Sequence, residues 1–155
     1  MESSYGSGSG GRFGSGFLEL AAGTCDPDKW RRHFSHYDPG EWAADGDGGS
    51  IWFSSDDGRE MSMNIIHWEG LGFLLKYECR NQSANAPTWV KYSVGQSGRI
   101  DEFETRDDLT FPVGCFLDPD TAGSVISDFF QQPMEPSASV QWVDSGDIPW
   151  PDYMM

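Results

Sequence analysis

Lysine and arginine are scarce in this chain, and beyond Arg106 they stop: the 49 residues from Asp107 to Met155 hold nine Asp or Glu and no basic residue. Across all 155 residues, 10 Lys and Arg face 25 Asp and Glu, a net charge of −15 at pH 7. That shortage argues against binding nucleic acid or an anionic membrane, because neutralising phosphates takes clustered Lys and Arg. Like charges also repel one another, so the acidic end is better explained by a basic partner than by any gain in compactness.

Long apolar runs are missing too. None approaches the ~20 residues of a membrane span, and the N-terminus has neither the charged nor the apolar region of a secretion signal, so a cytoplasmic protein is expected. Cysteine is sparse: Cys25, Cys79 and Cys115 are an odd number without a C-x-x-C spacing. They suggest neither a disulfide framework nor a zinc site, and read as reduced, partly buried thiols.

What is present suffices for a core. Hydrophobic residues make up 37% of the chain and aromatic residues 14%, unlike a disordered acidic tail. Met1 to Thr24 is dominated by Gly and Ser and is expected to be a flexible lead-in, leaving residues 25–155 as one domain. In CDPDKWRRHFSHY, Asp26 can cap a helix, Pro27 suits its first position, and Trp30, Phe34 and Tyr37 follow at helical spacing. The next stretch, DPGEWAADGDGGS, is rich in turn residues.

From Ser50 the period changes to two. SIWFSS, MSMNIIHW, GFLLKYEC and TWVKYSV, separated by short turns, predict an antiparallel β-meander. Alternation points Met63, Ile65, Phe73, Leu75, Tyr77, Val90, Tyr92 and Val94 to one covered face, with Asn64, Lys76 and Lys91 on a wet one. RIDEFET is a less regular fifth strand, and Pro112 in DLTFPVGCF removes a ladder donor from the sixth, which points to an edge or a bulge. Asp118 caps the next helix, Pro119 opens it, and Ala122, Val125, Ile126 and Phe129 form its apolar stripe. Pro133 and Pro136 stop it, and SVQWVD reads as a last strand with Val140 and Trp142 inward. The fold class is α+β: an antiparallel meander with one face covered by the C-terminal helix and a short N-terminal helix.

Signals for catalysis or metal binding are weak. GSGSGG matches G-x-G-x-x-G without the strand and helix that such a loop needs. DGDGGSIWFSSD places Asp45, Asp47 and Asp56 like a calcium loop, but Gly49 and Ser50 stand where a ligand and the turn glycine belong. His33 and His36 lie near Asp38 without a strong third ligand, and His67 belongs to a strand. No G-x-S-x-G occurs, and the carboxylate pairs Asp56-Asp57, Asp101-Glu102 and Asp107-Asp108 occupy adjacent strand positions that point apart. The reading is therefore no catalytic residue, no cofactor, no metal, and no enzyme.

The C-terminal order carries a resemblance. A strand with Phe-Pro, a Pro-opened helix ending in an aromatic pair (SVISDFFQQ), a break with proline, and a strand bearing Gln-Trp (SVQWVD) resembles the signature of immunity protein family one. The likeness spans roughly Ser50 to Asp144. That family comprises bacterial antidotes encoded beside polymorphic toxins, chiefly toxins whose warhead is a zinc-dependent nucleic-acid deaminase. The resemblance implies a cytoplasmic, non-catalytic monomer that binds a basic toxin one to one and occludes its substrate groove.

Two features suggest where it would bind. Asp101, Glu102, Glu104, Asp107 and Asp108 fall within eight residues, either as a solvated sheet edge or as a surface for a basic partner. Trp68 and Trp89 carry the parity of the uncovered face, where a second layer or an interface must cover them. The alternative from another class is an acidic chaperone or adaptor for a basic secreted effector; a hydrolase using a carboxylate pair is a third.

Overall fold

The computed structural model describes residues 11–16, 26–44 and 48–152. The chain runs through strand β1 (Gly11–Gly16), helices α1 (Pro27–Ser35) and α2 (Pro39–Ala44), and strands β2 (Gly48–Ser55), β3 (Arg59–Trp68), β4 (Gly72–Asn81) and β5 (Trp89–Val94). It continues through β6 (Phe103–Arg106), β7 (Leu109–Pro112), β8 (Phe116–Leu117), helix α3 (Pro119–Gln131) and β9 (Gln141–Asp144). The fold is mixed α+β.

Among the described residues seven strands form one antiparallel sheet in the order β1-β2-β3-β4-β5-β9, with β8 pairing β4 at Phe73 and Leu74, beyond the stretch that β5 pairs. The helices form where the local signals place them. The Asp26 carboxylate accepts from the amides of Asp28 and Lys29, and the Asp118 carboxylate accepts from the Thr121 amide at 2.7 Å, so the first free N–H groups of α1 and α3 are satisfied. Their stripes, Trp30 and Phe34 on α1 and Ala122, Val125, Ile126, Phe129 and Phe130 on α3, are buried on the sheet face that carries Ile51, Phe53, Met63, Ile65, Phe73, Leu75 and Tyr77. At Gly123 a Cβ would come within 3.0 Å of Phe34 Cβ, so α1 and α3 meet closely there.

The structure corrects the sequence reading at four places. The lead-in contains a strand: Gly11–Gly16 pairs along its whole length with Ser50–Ser55, and Phe13 packs against the core. This pairing comes from the open edge of β2 rather than from local propensity. The remainder of the Met1 to Thr24 lead-in lies outside the described residues, as do Cys25, Asp45 and Asp47. The turn-rich stretch includes α2, capped by Asp38 Oδ1 accepting from Gly40 N at 3.0 Å and anchored by the buried Trp42.

The third correction concerns β5. Its register sets Trp89 opposite Cys79 and Lys91 opposite Tyr77, on the helix-covered face, whereas Val90 and Tyr92 pack on the other one. With apolar residues at 89, 90 and 92, this strand satisfies either parity, and only its partner chooses. Finally, β6 and β7 leave the meander as a separate two-stranded hairpin, and β9 takes the place beside β5. The second face is consequently not uniformly wet: part of it carries a small core of Trp68, Leu74, Tyr92, Cys115, Phe116 and Ile148, with Phe103, Phe111 and Trp150 packed on it. Val140 and Trp142 pack toward the helix face, as the alternation of SVQWVD predicts.

Candidate functional site

The acidic cluster Asp101, Glu102, Glu104, Asp107 and Asp108 lies on and beside the β6–β7 hairpin. Its turn is Asp107-Asp108, with φ of 50° and 69° at the two residues. Two consecutive left-handed residues match the right-handed strand twist, and Asp tolerates this conformation better than most side chains. Asp107 and Asp108 are exposed, and so is the next residue, Leu109, at 51%, the one large hydrophobic side chain so exposed among the described residues.

The five carboxylates are not equivalent. Glu102 pairs with Arg99 at 3.0 Å, and this hydrogen bond raises the arginine pKa above its ordinary value. Glu104 pairs with Arg106 at 2.6 Å. Asp101, Asp107 and Asp108 have no ion-pair partner among the described residues, so the uncompensated charge gathers at the turn and at the entry to β6.

The two tryptophans are separated. Trp68, at 7% exposed, is covered: its ring stacks on Phe116 at 5.4 Å, meets Phe111 at 5.5 Å, and lies under the Arg106 guanidinium at 5.0 Å. It holds the hairpin against the sheet. Trp89 is half-buried on the opposite face, against Tyr77 at 5.2 Å, with Lys91 Nζ 5.4 Å above its ring. The expectation that both share an uncovered face does not hold, because the β4–β5 register turns Trp89 to the helix side.

Three other acidic residues of the C-terminal stretch, Asp118, Asp128 and Asp144, have internal partners. Asp118 caps α3. Asp128 Oδ2 accepts from Ser137 Oγ at 2.6 Å and Ser139 Oγ at 2.7 Å, tying α3 to the loop behind it, and Asp144 pairs with Lys91 at 2.7 Å. The histidines do not converge. His33 Nδ1 contacts Glu41 at 2.8 Å, His36 contacts Ser35, and His67 is buried beneath Tyr37, Trp42 and Phe73, with the Tyr37 hydroxyl 2.6 Å from its Nε2. No cluster of His, Cys, Asp and Glu able to hold a metal occurs among the described residues. No helix among them is long and apolar enough to cross a membrane.

Sequence reasoning missed Leu109 and the bracing roles of Arg106 and Trp150. An exposed leucine in a short strand has the same local signature as a buried one. Trp150, which donates to the Ser145 carbonyl at 2.9 Å and packs on Phe103 and Tyr92, lies in a proline-rich end without periodicity. The arrangement suits a protein-binding surface: backbone-paired strands braced by aromatic rings, ending in uncompensated carboxylates beside an apolar side chain. Comparison with family models, with curated proteins and with solved structures finds no match to this chain.

Proposed function

We propose that this protein binds and neutralises a basic bacterial toxin, foremost a nucleic-acid deaminase, by seating acidic surface in the toxin's substrate groove and occluding its active site. The observation that carries this reading is the β6–β7 turn, where Asp107 and Asp108, without salt-bridge partners among the described residues, stand next to exposed Leu109. A deaminase draws a polyanion into a positive groove and presents a base to zinc-bound water. Carboxylates at a hairpin tip can take the cations that otherwise hold phosphates, while a leucine beside them adds apolar contact. The net charge of −15 gives the same attraction at long range, and the resemblance of the C-terminal sequence to immunity protein family one points the same way. The protein acts in the bacterial cytoplasm as a non-catalytic monomer, one to one with the toxin.

The test is binding to the basic protein encoded alongside, followed by stopped flow, together with the catalytic activity of that protein. Tight binding, on the order of −12 kcal/mol, with loss of toxin activity at one equivalent is expected. Replacing Asp101, Asp107 and Asp108 by Asn slows association about ten-fold at low salt and flattens its salt dependence, with little change in dissociation. Binding that leaves toxin activity intact identifies an acidic chaperone or adaptor instead; no binding overturns the reading.

A further inference from the structure

The opposite end of the sheet carries a second recognition feature, independent of the acidic hairpin. Strand β1, GRFGSG, is an edge strand among the described residues and places Phe13 against the core. The rest of the strand is three glycines, Arg12 and Ser15. Glycine forms strands poorly, since it loses most backbone freedom on ordering and has no side chain to pack against a neighbouring strand. β1 is thus a weak occupant of a well-formed slot.

The slot is selective on both faces. On the helix side, Phe13 enters between Phe53, Phe129 and Phe130, with ring centroids at 4.9, 6.0 and 5.4 Å. On the other side the register sets Gly14 opposite Trp52, and a Cβ at position 14 would fall on the indole ring. An extended segment here must therefore bring an aromatic residue followed by glycine. The β2 backbone offers ladder hydrogen bonds to any antiparallel strand, whatever its other residues.

We infer that the β2 edge is a strand-capture site for an extended segment of a protein partner carrying an aromatic-glycine pair, with β1 as the chain's own resident competitor. Strand addition draws affinity from main-chain bonds and selectivity from alternate side-chain positions, and both are laid out here. A partner segment with Val or Thr around its Phe-Gly keeps the two selective contacts and forms a strand more readily than GRFGSG. The covalent tether holds β1 at an effective concentration on the order of millimolar, so only a better-fitting segment displaces it.

The probes are two acetylated hexapeptides, VRFGVT and VRFAVT, titrated into the full chain and followed by tryptophan fluorescence. The Phe13→Ala chain, its aromatic slot vacated, binds VRFGVT at least about ten-fold tighter than the unaltered chain does. VRFAVT binds that variant at least about ten-fold more weakly, because its alanine methyl meets Trp52. Adding Trp52→Ser abolishes this discrimination. Equal affinity of the Phe13→Ala and unaltered chains for VRFGVT, or equal affinity for the two peptides, overturns the inference. A measurement on the unaltered chain stands apart from how the variants fold: VRFGVT at about millimolar concentration speeds hydrogen exchange in Gly11–Gly16 while β2 stays protected. Unchanged exchange in Gly11–Gly16 under that condition also overturns it.

Discussion

The Arg106 guanidinium lies 5.0 Å over the Trp68 ring, and the same side chain donates to Glu104 Oε2 at 2.6 Å and to the Glu69 carbonyl at 3.1 Å. One arginine therefore joins the acidic hairpin to the end of β3 and to the loop after it. Arg106→Ala should lower stability by about 1 kcal/mol, since a partly exposed cation–π contact and a carbonyl hydrogen bond are lost. Trp68→Ala should cost about 3–5 kcal/mol, because it empties the second core. Denaturant midpoints measure both, and hydrogen exchange should rise in β6 and β7 of the Arg106 variant but not in β3 and β4. Uniform exchange across the hairpin and sheet would mean that Arg106 does not brace the hairpin.

The turn at Asp107 and Asp108 combines left-handed backbone at both residues with adjacent like charges. Asn-Gly suits this turn better. The double substitution Asp107→Asn and Asp108→Gly should raise stability by about 0.5–1 kcal/mol and yet slow association with a basic partner. Asp108→Val should destabilise by about 1–2 kcal/mol, because a β-branched side chain clashes in this region. Urea unfolding of the two variants should move in opposite directions.

The limits of pH stability have separate causes. Hydrogen bonds from Arg59 and Ser55 hold the Asp57 carboxyl at about 2, below its ordinary 3.8. A depressed carboxylate contributes stability above its unfolded value and loses it as pH falls through about 2. Arg59→Ala should return the Asp57 titration toward 3.8 in a carboxyl NMR experiment. At the alkaline end burial pushes Tyr92 and Cys115 up to about 12. Their neutral forms are favoured in the folded state, so this contribution is complete below their unfolded values and lost as pH rises toward about 12. The Cys115 thiol should react with an alkylating reagent only at the rate of unfolding; prompt labelling at neutral pH would contradict its burial.

Phe13 bears on the lead-in. From composition alone, removing the first 24 residues should hardly change stability. With Phe13 set among Phe53, Phe129 and Phe130, Phe13→Ala should instead cost about 2 kcal/mol, and deletion through Gly16 more, as read by thermal melting. A deletion that melts with the full chain would restore the simpler view.

Several elements are legible in the sequence because their signals are local. A cap followed by a proline and an apolar stripe lies within one continuous segment of a few turns, so Asp26 with Trp30 and Phe34, and Asp118 with Val125, Ile126 and Phe129, announce α1 and α3. Alternation spans a few residues, so β2, β3 and β4 and the inward side of Trp142 were readable, as was the acidic cluster, contiguous along the chain. The exposed position of Leu109 was not.

The sequence by itself determined which residues alternate, which stripes must be buried, and how much negative charge the molecule carries. Tertiary structure alone decided that a glycine-rich segment becomes β1, that Trp89 and Trp68 go to opposite faces, and that β6 and β7 leave the meander. The reason is the range of the forces involved. Caps and periodicity act between residues three or four apart, whereas the face a strand turns inward and the edge it joins depend on partners much farther along the chain, such as Trp52 opposite Gly14 and Cys79 opposite Trp89.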